Sequence, residues 1–171
     1  MKFSLSILAL VITLTGWGQI LKTFSATMHP DSLCYLSIKN SKAYTATAAG
    51  EVKTVLDLGL FATQTDKLPV IEWYNLKPDN EKVPASLWGT QTRVVASSFD
   101  RDQFDKCKTA ADLKRMTGYL SVNSFSHFAV VRNSPDYYQR CFLFEREDGK
   151  RGLIFVTAAG GSQFKVEVKA E

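Results

Sequence analysis

The chain reads as a mainly β protein, an antiparallel β-sandwich or open barrel of about 8–9 strands with one helix near residues 100–117. Three observations predict this. Short runs rich in β-branched and aromatic residues recur between turn residues along most of the chain. The run Phe164-Lys165-Val166-Glu167-Val168-Lys169 alternates apolar and charged residues strictly, which suits a strand with one face in a core and one face wet. A single stretch, Asp100 to Met116, instead carries Asp100, Asp102 and Asp105 early and Lys108, Lys114 and Arg115 late, the order that complements a helix dipole.

Taken in order, Leu33 to Ile38 and Ala43 to Thr47 are predicted strands around Lys39-Asn40-Ser41-Lys42, a tight turn. Val52 to Phe61 reads as a longer strand. Val70 to Tyr74 and Arg93 to Ser97 follow, separated by a polar stretch containing Pro78 and Pro84. In the helical stretch, Phe104, Leu113 and Met116 share an apolar side and Gly118 is a natural stop. A fresh cap at Thr109 to Asp112 makes two short helices the alternative. Four strand-like runs close the chain: Phe128 to Val131, Tyr138 to Phe144, Leu153 to Thr157 and Phe164 to Val168. Asp148-Gly149 joins the second to the third, because both positions of that turn tolerate positive φ. Gly160-Gly161 marks the last turn.

The first residues have a different character. Lys2 precedes an apolar run from Leu5 to Leu14, and Gly16 and Gly18 place small residues at alternate positions before Gln19. These are the parts of a secretory signal, with cleavage expected after Gly18. The apolar run, about 10 residues, is too short for the roughly 20 a membrane-spanning helix needs. The expected organisation is a signal peptide over 1–18 and a single domain over 19–171, exported to the periplasm, the cell surface or the outside. No transmembrane segment is expected in the mature chain. The 171 residues suit one core, and no internal repeat is apparent. The formal charge of +4 is dispersed, not gathered into a stripe, so no nucleic-acid partner is expected.

Tyr35-Leu36-Ser37-Ile38 with Lys42-Ala43-Tyr44, then Val55-Leu56-Asp57-Leu58, then Phe144 through Glu147-Asp148-Gly149-Lys150-Arg151-Gly152-Leu153-Ile154 occur in a familiar order. With Phe104 to Leu113 between them, they resemble secreted or surface β-sandwich domains of Bacteroidetes. The resemblance spans roughly residues 33–169 and rests on short motifs. It implies a β-sandwich fold and an exported location, and it implies no catalytic residues. The lipid-anchor cysteine of many surface proteins has no counterpart near the expected cut.

Residues for chemistry are few. His29 and His127 are the only histidines, and no Gly-x-Ser-x-Gly elbow occurs. Ser126 and His127 are neighbours in a strand-like run, so their side chains point to opposite faces. His29-Pro30-Asp31 reads as a turn, not as part of a zinc site. Asp100, Asp102 and Asp105 lack the spacing of a calcium loop and read as helix-capping acids. We therefore assign no catalytic residue, no metal and no cofactor. Glu72, beside Trp73-Tyr74, is the most suggestive carboxylate.

Cys34, Cys107 and Cys141 permit three pairings, each leaving one thiol free. A disulfide between Cys107 and Cys141 is the pairing considered, against burial of all three as thiols. Trp73, Tyr74 and Trp88 bracket the irregular stretch from Asn75 to Leu87 and form the candidate ligand-binding set. Loop aromatics can stack on sugar rings, whereas the competing role is to close the core. The expected function is a secreted, non-catalytic protein acting by binding an unknown protein or glycan, as an accessory or structural envelope component. The alternatives are a glycan-binding module using those aromatics, or a small carboxylate-based carbohydrate-active hydrolase.

Overall fold

A computed structural model describes residues 18–52, 55–64, 69–76, 83–120, 127–132 and 139–171. The protein is a mainly β sandwich of two antiparallel sheets. Sheet 1 contains β1 (Lys22–Met28), β6 (Arg93–Ala96), β8 (Gln139–Glu145), β9 (Arg151–Gly160) and β10 (Gln163–Ala170), in the order β1-β10-β9-β8-β6. Sheet 2 contains β2 (Tyr35–Ser37), β3 (Lys42–Tyr44), β4 (Leu58–Gln64), β5 (Pro69–Asn75) and β7 (His127–Arg132), in the order β3-β2-β4-β5-β7.

Alternation places the core between the sheets. In β10, Phe164, Val166, Val168 and Ala170 are buried, while Lys165, Glu167 and Lys169 point the other way. They meet Ile154 and Val156 of β9, Phe142 and Phe144 of β8, and Leu58, Leu60, Ile71 and Trp73 of sheet 2. The central strands β8 and β9 are apolar on both faces because both faces are covered. Cys141, Leu143, Leu153 and Phe155 form a second cluster on the outer face of sheet 1 with Phe99, Phe104, Cys107 and Leu113. The outer face of sheet 2 is covered in the same way, with Tyr35, Tyr74 and Leu76 packed against Ala49, Leu56, Val83 and Leu87.

The covering elements are short helices. Two of them, α2 (Arg101–Lys106) and α3 (Ala110–Thr117), replace the single helix expected near 100–117, because each half has its own cap. Asp100 accepts from the Gln103 amide at 2.8 Å and Thr109 Oγ1 from the Asp112 amide at 3.1 Å, both within reciprocal capping boxes.

Three further expectations are corrected. The strand predicted from Ala43 ends at Tyr44, and the alanine-rich segment after it forms α1 (Ala46–Glu51), capped by Thr45. The strand predicted from Val52 begins only at Leu58. The sandwich also has a strand missing from the expected set. β1, Lys-Thr-Phe-Ser-Ala-Thr-Met, alternates polar and apolar residues from Thr23 to Met28, with Phe24, Ala26 and Met28 turned to the core, and it keeps seven residues of unbroken register with β10.

The hairpins fall where expected. Glu145 pairs with Arg151 across a turn in which Gly149 has φ 79°, and Gly160 and Gly161 have φ 84° and 57°. Gly152 has a different reason to be glycine: a Cβ there would collide with the Lys169 carbonyl and the Phe144 ring, which lies over it from the neighbouring strand. Among the described residues no helix is long and apolar enough to cross a membrane. The expected signal over 1–18 lies almost wholly outside the described residues, as do Pro78, Ser126 and Tyr137-Tyr138.

Candidate functional site

The three candidate aromatics do not come together. Successive residues of a strand face opposite ways, so Trp73 enters the core between the sheets while Tyr74 joins the cluster on the outer face of sheet 2. They are 1% and 2% exposed, which removes both ring faces from any ligand. The expectation of a shared stacking platform is corrected at these two residues. Trp88 is half-buried at the margin of the outer cluster, its Nε1 donating to the Val83 carbonyl at 3.1 Å. Tyr74 packs against Phe61, which in turn meets Tyr35 edge-on, with ring centroids 5.5 and 5.4 Å apart. The Tyr74 hydroxyl donates to Glu72 at 2.7 Å, so that carboxylate serves as a partner for a buried phenol.

The thiols are equally enclosed. Cys34, Cys107 and Cys141 are free and buried, which corrects the Cys107–Cys141 disulfide, although those two share the cluster beneath α2 and α3. Burial pushes Cys34 and Cys141 up to about 11 and raises Cys107 as well. Thiolate is the reactive form, so burial suppresses reactivity twice, through access and through ionisation. All three thiols should resist a disulfide labelling reagent in the native protein at pH 8 and react together after unfolding. Rapid native labelling of any one would contradict this placement.

His29 and Asp31 form the expected turn, with the Asp31 amide donating to His29 Nδ1 at 3.2 Å. The three acids of the helical stretch diverge. Asp100 caps α2, Asp102 pairs with Lys106 at 2.8 Å, and Asp105 pairs with Arg101 at 2.9 Å. Among the described residues, no group of three or more His, Cys, Asp or Glu side chains could hold a metal ion.

Two polar constellations escaped the sequence reading. The first is a buried network at one end of the sandwich. Asp57, fully buried, accepts from the Ile38 amide at 2.7 Å and from Thr90 Oγ1, Thr92 Oγ1 and Arg146 Nε at 3.1 Å each. Arg146 continues to Asp148 at 3.1 Å. One carboxylate thereby ties the entries of β4 and β6 to the β8–β9 hairpin. The available signal was a lone acid inside the apolar run Val55-Leu56-Asp57-Leu58.

The second lines an open cleft of about 360 Å³ between β1, β10 and α2. Lys169 reaches from β10 to the end of α2 and donates to the carbonyls of Phe104, Asp105 and Cys107 at 2.6, 3.2 and 2.8 Å. A cation on helix-terminal carbonyls satisfies acceptors that the helix itself cannot. Arg101 pairs with Glu167 on the same strand and lies 5.2 Å from the centre of the Phe155 ring. On the β1 side, Thr23 and Ser25 complete the lining.

The Arg101 guanidinium, followed by Lys165, holds the Glu167 carboxyl below its ordinary value of 4.5. A carboxylate depressed on folding contributes stability that is present above its unfolded pKa and lost as pH falls through the folded one. The parent protein should therefore lose melting temperature below pH 4.5. An Arg101→Gln variant should start lower at neutral pH and lose less, the two melting curves converging as the pH falls through the depressed folded-state range of Glu167. Asp105, also lowered chiefly by Arg101, acts in the same direction. Parallel melting curves across that range would refute the assignment.

Comparison with known proteins adds no relative: no family model, curated protein or solved structure matches this chain.

Proposed function

We propose that this chain is an exported, non-catalytic β-sandwich protein that acts by binding, as an accessory or structural component of a cell envelope. The observation that carries the reading is the edge strand β1. It pairs with β10 through seven residues without a bulge and has no other strand partner among the described residues. Soluble monomers blunt such edges with charges, prolines, bulges or shortness. β1 has only Lys22, at its first position, and that ammonium donates to the Lys39 carbonyl at 3.0 Å. The remaining residues are uncharged, and Thr23, Ser25 and Thr27 are exposed. An extended segment of a protein partner can add to such an edge through main-chain hydrogen bonds, its side chains falling beside the cleft under α2.

Export is supported by the basic, apolar and small-residue pattern of residues 1–18 and by the resemblance to secreted Bacteroidetes domains. Two of the three candidate aromatics are interior, which weighs against the glycan reading. Glu72 is engaged with Tyr74 and the other charged groups at the cleft hold α2 in place, which weighs against the hydrolase reading.

The test is recovery of partners by the tagged chain from the envelope of its host, with mild crosslinking, set against a Ser25→Lys/Thr27→Glu variant. Each new charge stands opposite a complementary residue, Glu167 or Lys165, so the fold is retained while the edge becomes charged. One stoichiometric protein recovered by the parent and lost by the variant is the expected result. A recovery indifferent to the variant would remove β1 as the binding edge. Failure to recover any protein would redirect the search to small ligands by thermal shift.

A further inference from the structure

We propose that Gln19 is a modification site: once the leader is cut after Gly18, the new terminal glutamine closes to pyroglutamate. The inference rests on the export reading, which supplies the cut. The chemistry is internal to one residue. The freed α-amino nitrogen attacks Cδ of the Gln19 carboxamide, a C–N bond forms to give a five-membered lactam, and the original C–N bond breaks to release ammonia. No oxidant or co-reactant is consumed, and the terminal positive charge disappears.

Two features of the fold favour this ending of the chain. First, Gln19 is exposed, and the bonds that fasten its segment leave the reacting atoms alone. The Gln19 carbonyl accepts from the Ala110 amide at 2.8 Å and the Leu21 amide donates to the Lys108 carbonyl at 3.0 Å. Ring closure touches neither the Gln19 carbonyl nor the Leu21 amide.

Second, the same bonds seat the new terminus against the first turn of α3. A Cβ on Gly18 would lie 3.1 Å from Ala111 Cβ and 3.3 Å from Thr109 Cβ. This is the positive end of that helix, where an ammonium is unfavourable and a neutral lactam is not. The carboxylate of the turn cannot serve as a free counter-ion. Asp112 already accepts from Thr109 Oγ1 at 2.9 Å, from the Thr109 amide at 3.0 Å and from Arg115 at 2.8 Å.

The test is to express the full chain with its own leader in a secreting host and to measure the intact mass and the N-terminal sequence of the product. The expected product begins at residue 19, is about 17 Da lighter than the linear form and is blocked to stepwise degradation. A pyroglutamyl peptidase should then expose Ile20 as the first residue. A Gln19→Ala chain, processed at the same bond, should show its linear mass and an open terminus. A product cut after Gly18 that keeps the linear mass and a free amine overturns the lactam while leaving export intact. A product that retains residues 1–18, or is cut elsewhere, overturns both.

Discussion

Replacing Trp73 by alanine should cost about 3–5 kcal/mol of unfolding free energy, seen as a lower denaturant midpoint at an unchanged slope. The ring is the largest of the fully buried side chains and stands between the sheets, paired across the ladder with Leu60 on β4 and Phe128 on β7. Its removal opens a cavity that neighbours on two packed sheets cannot collapse to fill. Trp73→Phe should cost much less, roughly 1–2 kcal/mol. Among the described residues the indole Nε1 meets no acceptor, so the smaller ring strands no hydrogen-bond partner. A native-like stability for the alanine variant, coupled to loss of a ligand, would return Trp73 to a surface role.

Asp57→Ala should be comparably severe, about 3–5 kcal/mol, for an electrostatic reason instead of a packing one. The substitution leaves the guanidinium of Arg146, 18% exposed, without its buried counter-charge. It also strands the Ile38 amide and takes one acceptor from each of Thr90 and Thr92, whose hydroxyls keep the Leu56 carbonyl and each other. Arg146→Ala alone leaves the buried carboxylate without its counter-charge, held only by the Ile38 amide and two hydroxyls, and should destabilise in the same direction. The double variant should fall well short of the sum of the two, because most of each penalty is the partner left behind. Strict additivity in urea titrations of the four proteins would mean that the two residues act independently.

The contrast between these residues shows what was legible in the sequence. Strict alternation marked β10, Asp148-Gly149 marked the β8–β9 hairpin, and the acid-to-base gradient marked the helical stretch. Each is a local signal carried by its own residues. β1 carries a weaker version of the same alternation, Thr23-Phe24-Ser25-Ala26-Thr27-Met28 with small residues at Ser25 and Ala26, and its pairing with the distant β10 completes it as a strand. The aromatic set, by contrast, misled. Adjacent positions 73 and 74 look like a cluster in one dimension, yet the pleat sends them to opposite faces of sheet 2. The Asp57 network joins residues from four separate stretches, Arg146 standing 89 residues after Asp57 in sequence. Burial alone betrays such an arrangement, and burial is a property of the assembled sheets.

The pairing of Lys22 with Ala170 means that the first strand of sheet 1 completes it against the last. An emerging polypeptide cannot finish that sheet until β10 has left the ribosome, and closing so long a loop slows the search for the native register. The topology itself postpones the folded state: β1 waits unpaired for β10, so the sandwich closes late and as one event.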